Sequence, residues 1–192
     1  MYLFLQDNQI NNIETNAFND LSNLRVISLH DNQIGSIDVG DFNGLSSLQD
    51  LSIESNQINT IDTNAFNQLP TLKKLFLQNN QISSIDVGDL NGLTSLQHLF
   101  LGNNQISGID SYAFSGLSNL LRLFLDDNQI STIQTNDFDG LPSLFYLSLQ
   151  NNHINNIQTN SFSGLTSLYN FYLNGNQIST VNANIFSSLS SL

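Results

Sequence analysis

Apolar residues recur along the chain with a period of 24 positions, and the copy from Leu96 to Asn119, LQHLFLGNNQISGIDSYAFSGLSN, shows the rule most completely. Leucine or isoleucine stands at places 1, 4, 6, 11 and 14 (Leu96, Leu99, Leu101, Ile106, Ile109). Asparagine stands at place 9 (Asn104), phenylalanine at place 19 (Phe114) and leucine at place 22 (Leu117). Around places 4 to 6 apolar and polar residues alternate, which predicts a short strand with one buried face. The frame opens again at Leu24, Leu48, Leu72, Leu120, Leu144 and Leu168, and a first copy lacking only its opening leucine begins at Met1. No insertion or deletion separates the copies. Strands at a fixed interval stack side by side in parallel, their leucines pointing into the coil and the residue between them pointing out of the sheet.

Further columns complete the coil. Place 9 is asparagine in every copy: Asn8, Asn32, Asn56, Asn80, Asn104, Asn128, Asn152 and Asn176. The chain must leave the sheet there, and a buried turn leaves backbone amides and carbonyls that asparagine, both donor and acceptor, can satisfy. Place 19 holds Phe18, Phe42, Phe66, Phe114, Phe138, Phe162 and Phe186, with Leu90 the exception, and reads as core packing. The place-22 leucines close the wedge, and Pro70 and Pro142 just beyond two of them end any short helical turn. A 48-residue alternation also shows: IDVGDFNGL (37–45) returns as IDVGDLNGL (85–93), and IETNAF (13–18) as IDTNAF (61–66). It reads as the duplication of a two-coil unit on the outer side, not as a site.

The frame L-x-x-L-x-L-x-x-N-x-L resembles the leucine-rich repeat pattern over essentially all 192 residues, and the phenylalanine column is similar to that of the extracellular 24-residue subclass. The resemblance implies an α/β-type solenoid, a right-handed horseshoe with a parallel concave sheet and a mostly irregular or 3₁₀ convex side. It implies one domain over 1–192 with about eight repeats, and an asparagine ladder between coils. It also implies a protein-binding module in an extracellular or cell-surface setting. Neither end shows a polar-faced capping unit, so the expectation is a piece of a longer array with end-to-end self-association through its uncapped ends.

Composition narrows the partners. Charged residues make up 10% of the chain, with four basic and 16 acidic residues and a formal net charge of −12. A phosphate backbone is repelled overall and no basic arm offsets this, so no nucleic acid is expected. No apolar run is long enough to cross a bilayer, so no membrane insertion is expected. Cysteine is absent, which removes disulfides and thiolate metal sites. Asparagine is abundant, yet no Asn-x-Ser/Thr acceptor occurs, which leaves a bacterial, intracellular or engineered origin open beside the extracellular one.

Candidate chemistry belongs to the columns that face out of the sheet. Place 5 runs Phe4, Ser28, Ser52, Phe76, Phe100, Phe124, Ser148, Tyr172, so three successive phenylalanines form an apolar strip bordered by Tyr146 and Tyr172. All four basic residues, Arg25, Lys73, Lys74 and Arg122, stand at places 2 or 3, and Lys74, His98 and Arg122 share one column beside the strip. Lys74, Phe76, His98, Phe100, Arg122, Phe124, Tyr146 and Tyr172 are therefore the expected ligand-binding residues, for a protein ligand that is acidic or carries carboxylates. The alternatives are a passive spacer, with the aromatics only stacking as strand residues do, and a glycan- or ice-binding polar face. Asp126 and Asp127 with Asn103 and Asn151 offer oxygens to a cation, but adjacent strand side chains diverge, so no metal and no cofactor are expected. The acidic column Glu14, Asp38, Asp62, Asp86 and Asp110 reads as a solubility device. His30 beside Asp31 is a candidate base without a nucleophile, and no catalytic motif is present, so no enzyme is expected. His98, between two cations, should resist protonation; an NMR titration placing its pKa above about 6.5 would contradict this.

Overall fold

A computed structural model describes residues 1–192. In chain order its strands are β1 (Tyr2–Phe4), β2 (Val26–Ser28), β3 (Ser36–Ile37), β4 (Asp50–Ser52), β5 (Thr60–Ile61), β6 (Lys74–Phe76) and β7 (Ser84–Ile85). They continue as β8 (His98–Phe100), β9 (Gly108–Ile109), β10 (Arg122–Phe124), β11 (Thr132–Ile133), β12 (Tyr146–Ser148), β13 (Asn156–Ile157) and β14 (Asn170–Tyr172). Places 3 to 5 of each coil join one 8-stranded parallel sheet in the order β1-β2-β4-β6-β8-β10-β12-β14. The register matches place to place: Lys74 faces His98, and Phe76 faces Phe100. This is the expected solenoid, and it contains no helix.

Stacking in register buries each apolar column as a continuous layer. Residues of places 1, 4, 6, 11, 14, 19 and 22 make up nearly all of one cluster of 48 buried hydrophobic side chains, with Leu3, Leu5 and Ile10 of the first coil and Phe171, Leu173 and Ile178 of the last only partly buried against it. Spine rings meet at 5.8 Å (Phe42–Phe66), 6.1 Å (Phe114–Phe138) and 6.1 Å (Phe138–Phe162). Leu90, which stands between Phe66 and Phe114 in the spine, is buried like the rings it replaces.

The asparagine column does what its position demands. Asn104 Nδ2 donates to Leu101 O of its own coil (3.1 Å) and Leu77 O of the preceding coil (3.0 Å), while Asn104 Oδ1 accepts from Ile82 N (3.1 Å). The pattern recurs from Asn32 to Asn176. Asn8, with no coil before it, reaches only Leu5 O and Gln6 O. The residue ahead of this column turns left-handed in every coil, from Asn103 at φ 52° to Asn79 at φ 59° among the non-glycines. Aspartate and asparagine tolerate that region, and both are frequent there.

The convex side departs from expectation in one way. Short parallel ladders pair β3 with β5, β7 with β9 and β11 with β13, and segments of two residues are too short to show alternation in sequence. Elsewhere the convex side is irregular, the first of the two forms expected, with no continuous 3₁₀ segment. Ala113, Ser115 and Leu117 each donate to the residue three before (3.0, 2.9 and 3.2 Å), but the intervening residues do not, so these are separate turns. A left-handed residue at place 17 breaks the run: Asn16 (φ 68°), Gly40 (φ 102°), Asn64 (φ 69°), Gly88 (φ 100°) and Tyr112 (φ 68°). The 48-residue alternation thereby gains a packing reason. A Cβ on Gly40 would lie 2.7 Å from Thr15 Cγ2, and one on Gly88 would lie 2.7 Å from Thr63 Cγ2. The glycine of the Val-Gly-Asp coil leaves room for the threonine side chain of the Thr-Asn-Ala coil before it.

Replacing Asn104 by alanine leaves buried groups of two coils unpaired, and urea denaturation should show a loss of about 3 kcal/mol. The same change at the exposed Asn8 should cost less than about 1 kcal/mol.

Candidate functional site

On the concave face the strand spacing of about 4.8 Å becomes the spacing of side chains. Phe76, Phe100 and Phe124 stack with ring centroids 4.7 Å apart at each step and planes within 6° and 9° of parallel. The ladder does not stop where serine replaces phenylalanine at Ser148. Tyr146, one place-pair earlier on the same strand, leans into the vacancy, 4.9 Å from Phe124 and 5.1 Å from Tyr172. Ser148 beneath it is only 1% exposed. The expected strip is thus a five-ring ladder in which the three phenylalanines cover one another's faces and show their positive edges to solvent, while Tyr146 is tilted by 37° to Phe124 and 36° to Tyr172.

The remaining predicted residues form a lane beside it. His98 pairs in register with Lys74 on one side and Arg122 on the other. Its pKa is lowered, the direction expected from sequence, but burial is the larger cause and the Arg122 and Lys74 charges come after it. Lys74 is not free: its Nζ lies 3.6 Å from Asp50 Oδ2. Arg122 has no such partner and is exposed. On the opposite margin Asp126 lies over Gly102, where an added Cβ would approach Asp126 Oδ2 to 3.0 Å. Burial raises the pKa of Asp126, and the neighbouring Asp127 charge adds to it. Gln78, Phe100, Gly102, Phe124 and Asp126 line a shallow depression of about 200 Å³ there.

Sequence reasoning missed part of this surface. Leu121, Phe145 and Tyr169 share place 2 on three successive coils and are 38%, 44% and 61% exposed, with Phe145 and Tyr169 stacked at 5.2 Å. The column was legible, but place 2 lies outside the L-x-L alternation that marks a side chain as facing out. Other candidates dissolve. Asp127 Oδ1 accepts from Asn151 Nδ2 (2.9 Å) as one rung of an exposed side-chain ladder, and no cluster of three or more acids or histidines is arranged around a cation. His30 Nδ1 meets Asp31 Oδ2 at 2.6 Å, and no hydroxyl is hydrogen-bonded to that ring.

The convex side holds a second set of titratable groups that the sequence did not single out. Asp41, Asp89 and Asp137 are buried at place 18, and one oxygen of each accepts from the backbone N of Asp38 (2.8 Å), Asp86 (2.8 Å) or Gln134 (2.7 Å) three residues earlier. This is the reaching-back arm of a capping box, for which an aspartate three places on, in D-x-x-D twice and Q-x-x-D once, was the available signal. Burial pushes Asp89 and Asp137 up to about 6, against the lowering effect of that hydrogen bond. The acidic column adjoins them: Asp86 and Asp110 add to the shift of Asp89, and Asp110 to that of Asp137.

Comparison with known proteins is consistent with this geometry. The family profile described as leucine rich repeat matches residues 1–58, 46–106, 94–154 and 146–192. Among 449 matching chains of solved structures is that of a TLR13–ssRNA13 complex. The two superpose with a TM-score of 0.96 at 32% identity over 100% of this chain and 27% of that one, so this chain spans about a quarter of its neighbour's length. No curated protein matches. The neighbour's RNA does not fit the expectation that nucleic acid is excluded: a closely similar scaffold does occur in such a complex. That expectation rests on charge alone, four basic residues against 16 acidic ones.

The raised carboxyls set a pH dependence. A carboxyl whose folded pKa lies above its unfolded value of 3.8 favours folding fully below that value, and the benefit is lost as pH rises through about 6. Asp137→Asn keeps the acceptor oxygen and removes the buried charge. Thermal melts should show the variant more stable than wild type at pH 7.5, with the gap closing by pH 4.

Proposed function

This chain belongs to the leucine-rich repeat family, and from that membership and its exposed ring ladder we propose that it is a recognition module whose concave sheet binds a protein. In this reading residues 1–192 act as a single unit of about eight repeats, in a surface or secreted setting. The observation that carries the reading is the five-ring ladder from Phe76 to Tyr172 on an open face. Stacking gains of a fraction of a kcal/mol per strand pair support a strand. They give no reason to place Tyr146 over Ser148 and to add Leu121, Phe145 and Tyr169 beside it, which together make a broad apolar surface of the kind that marks interaction sites.

The polar residues around it give the partner a polarity. Arg122 is exposed and unpaired, and His98 stays neutral beside it, so a partner carboxylate meets one available cation next to ring edges that also favour oxygen. Lys74 contributes less than its column suggests, because Asp50 already holds it. The RNA of the structural neighbour does not transfer on this reading: six concave-face acids, Asp7, Asp31, Asp50, Glu54, Asp126 and Asp127, stand against the basic residues. No helix is long and apolar enough to cross a membrane.

The reading is tested with the wild type and a Phe76, Phe100, Phe124 to Ser triple variant, both confirmed folded by circular dichroism, on an extract of source-organism surface proteins and on single-stranded RNA. A protein retained by wild type should bind the variant at least about tenfold more weakly, since buried aromatic anchors dominate interfaces. Equal retention moves the site off the concave strip, RNA capture replaces the protein with a nucleic acid, and no capture leaves a spacer.

A further inference from the structure

The ring ladder shows how a gap in it is filled, and it leaves an equivalent gap open. Over Ser148 the chain supplies its own ring, Tyr146 from place 3, at 4.9 and 5.1 Å from its neighbours. Ser52 makes the same vacancy one strand before Phe76, with which it pairs in register. There place 3 is Asp50, which cannot stack, and Phe100 is the one ring packed against Phe76. No ring lies on the Phe76 face toward Ser52. Ser28 at the next strand is itself buried, at 7% exposed, so the gap is confined to Ser52, and Phe4 beyond it is 64% exposed.

The margins of this slot are acidic. Ser52 Oγ donates to Glu54 Oε2 at 2.6 Å, which draws that carboxylate down beside the vacancy. No cation of the chain pairs with Glu54: the ion pairs are His30 with Asp31 and Lys74 with Asp50. Asp50 stands at the opposite margin, held only by the half-exposed Lys74 at 3.6 Å. An aromatic face with no ring on it therefore adjoins an uncompensated carboxylate, on a chain of net charge −12.

We propose that this slot receives an arginine side chain of the protein partner. Its guanidinium plane lies on that Phe76 face and continues the ladder at one strand spacing, and its N–H groups donate to Glu54 and share Asp50. Arginine is favoured because it is planar and forked: an ammonium does not stack, and an inserted aromatic ring leaves Glu54 unpaired. This rests on the concave-face reading and refines it. The bound segment presents a base near Ser52 and a carboxylate near Arg122, three strands further along the sheet.

The test is an NMR titration of the full chain with acetyl-Gly-Arg-Gly-amide and with its citrulline analogue, which is planar and isosteric but neutral. The arginine peptide should shift the Phe76 ring protons and the Ser52 and Glu54 amides. The citrulline peptide, and the arginine peptide with Glu54→Gln, should bind about tenfold more weakly. Ser52→Phe fills the slot with the chain's own ring and should abolish the response while amide shifts elsewhere stay unchanged. Equal binding of the citrulline peptide, undiminished binding to Ser52→Phe, or no shift at the highest soluble concentration overturns the proposal. The concave-face reading fails separately: a natural partner kept by Ser52→Phe but lost by the triple serine variant removes the arginine slot and leaves the surface in place.

Discussion

From Asn32 to Asn176 each place-9 asparagine hydrogen-bonds the backbone of two coils at once, and that cross-link fixes the register on which the molecule depends. Asn128 shows the constraint in full: Nδ2 reaches Leu125 O and Leu101 O, and Oδ1 takes Ile106 N, all near 3 Å. The three bonds close only when the coils differ by 24 residues with no offset. A slip of one residue would turn every leucine out of the core, so the polar ladder and the apolar core enforce the same alignment.

Once register is fixed, like meets like across the whole solenoid. For phenylalanine this is favourable twice, in the buried spine and on the concave face. For charge it is unfavourable, and the structure shows separate remedies. On the convex side the acidic column adds to the pKa of Asp89 and Asp137, which burial already pushes up to about 6, and its own later places pass to Gln134, Gln158 and Asn182. The concave cations are interleaved with His98, whose lowered pKa keeps a third positive charge out of the column. Asparagine, glutamine, serine and threonine carry the rest of the surface because a neutral column does not repel itself.

The same logic gives the concave face its direction. Rings fill the central and later strands and serines the earlier ones, with Glu54 and Asp50 at the open end and Arg122 beside the filled end. A scaffold built from identical coils is uniform in backbone. Its surface becomes a specific site only through the few columns that the core and the ladder leave free to vary.

The period alone determined the solenoid, the parallel sheet, the core columns and the asparagine ladder, because a strict 24-residue repeat admits one way of burying its leucines. It also placed Phe76, Phe100 and Phe124 in one outward column, since strand geometry alternates regardless of tertiary detail. Tertiary structure decided what distances between side chains decide. Tyr146 joined the ladder from a different column, Asp50 took Lys74 out of the cationic row, Asp41, Asp89 and Asp137 folded back onto the backbone, and left-handed residues at place 17 kept the convex turns separate. A repeat pattern specifies which residues share a column. How far a side chain leans out of its own column depends on the volume its neighbours leave, and that is set only when the coils are stacked.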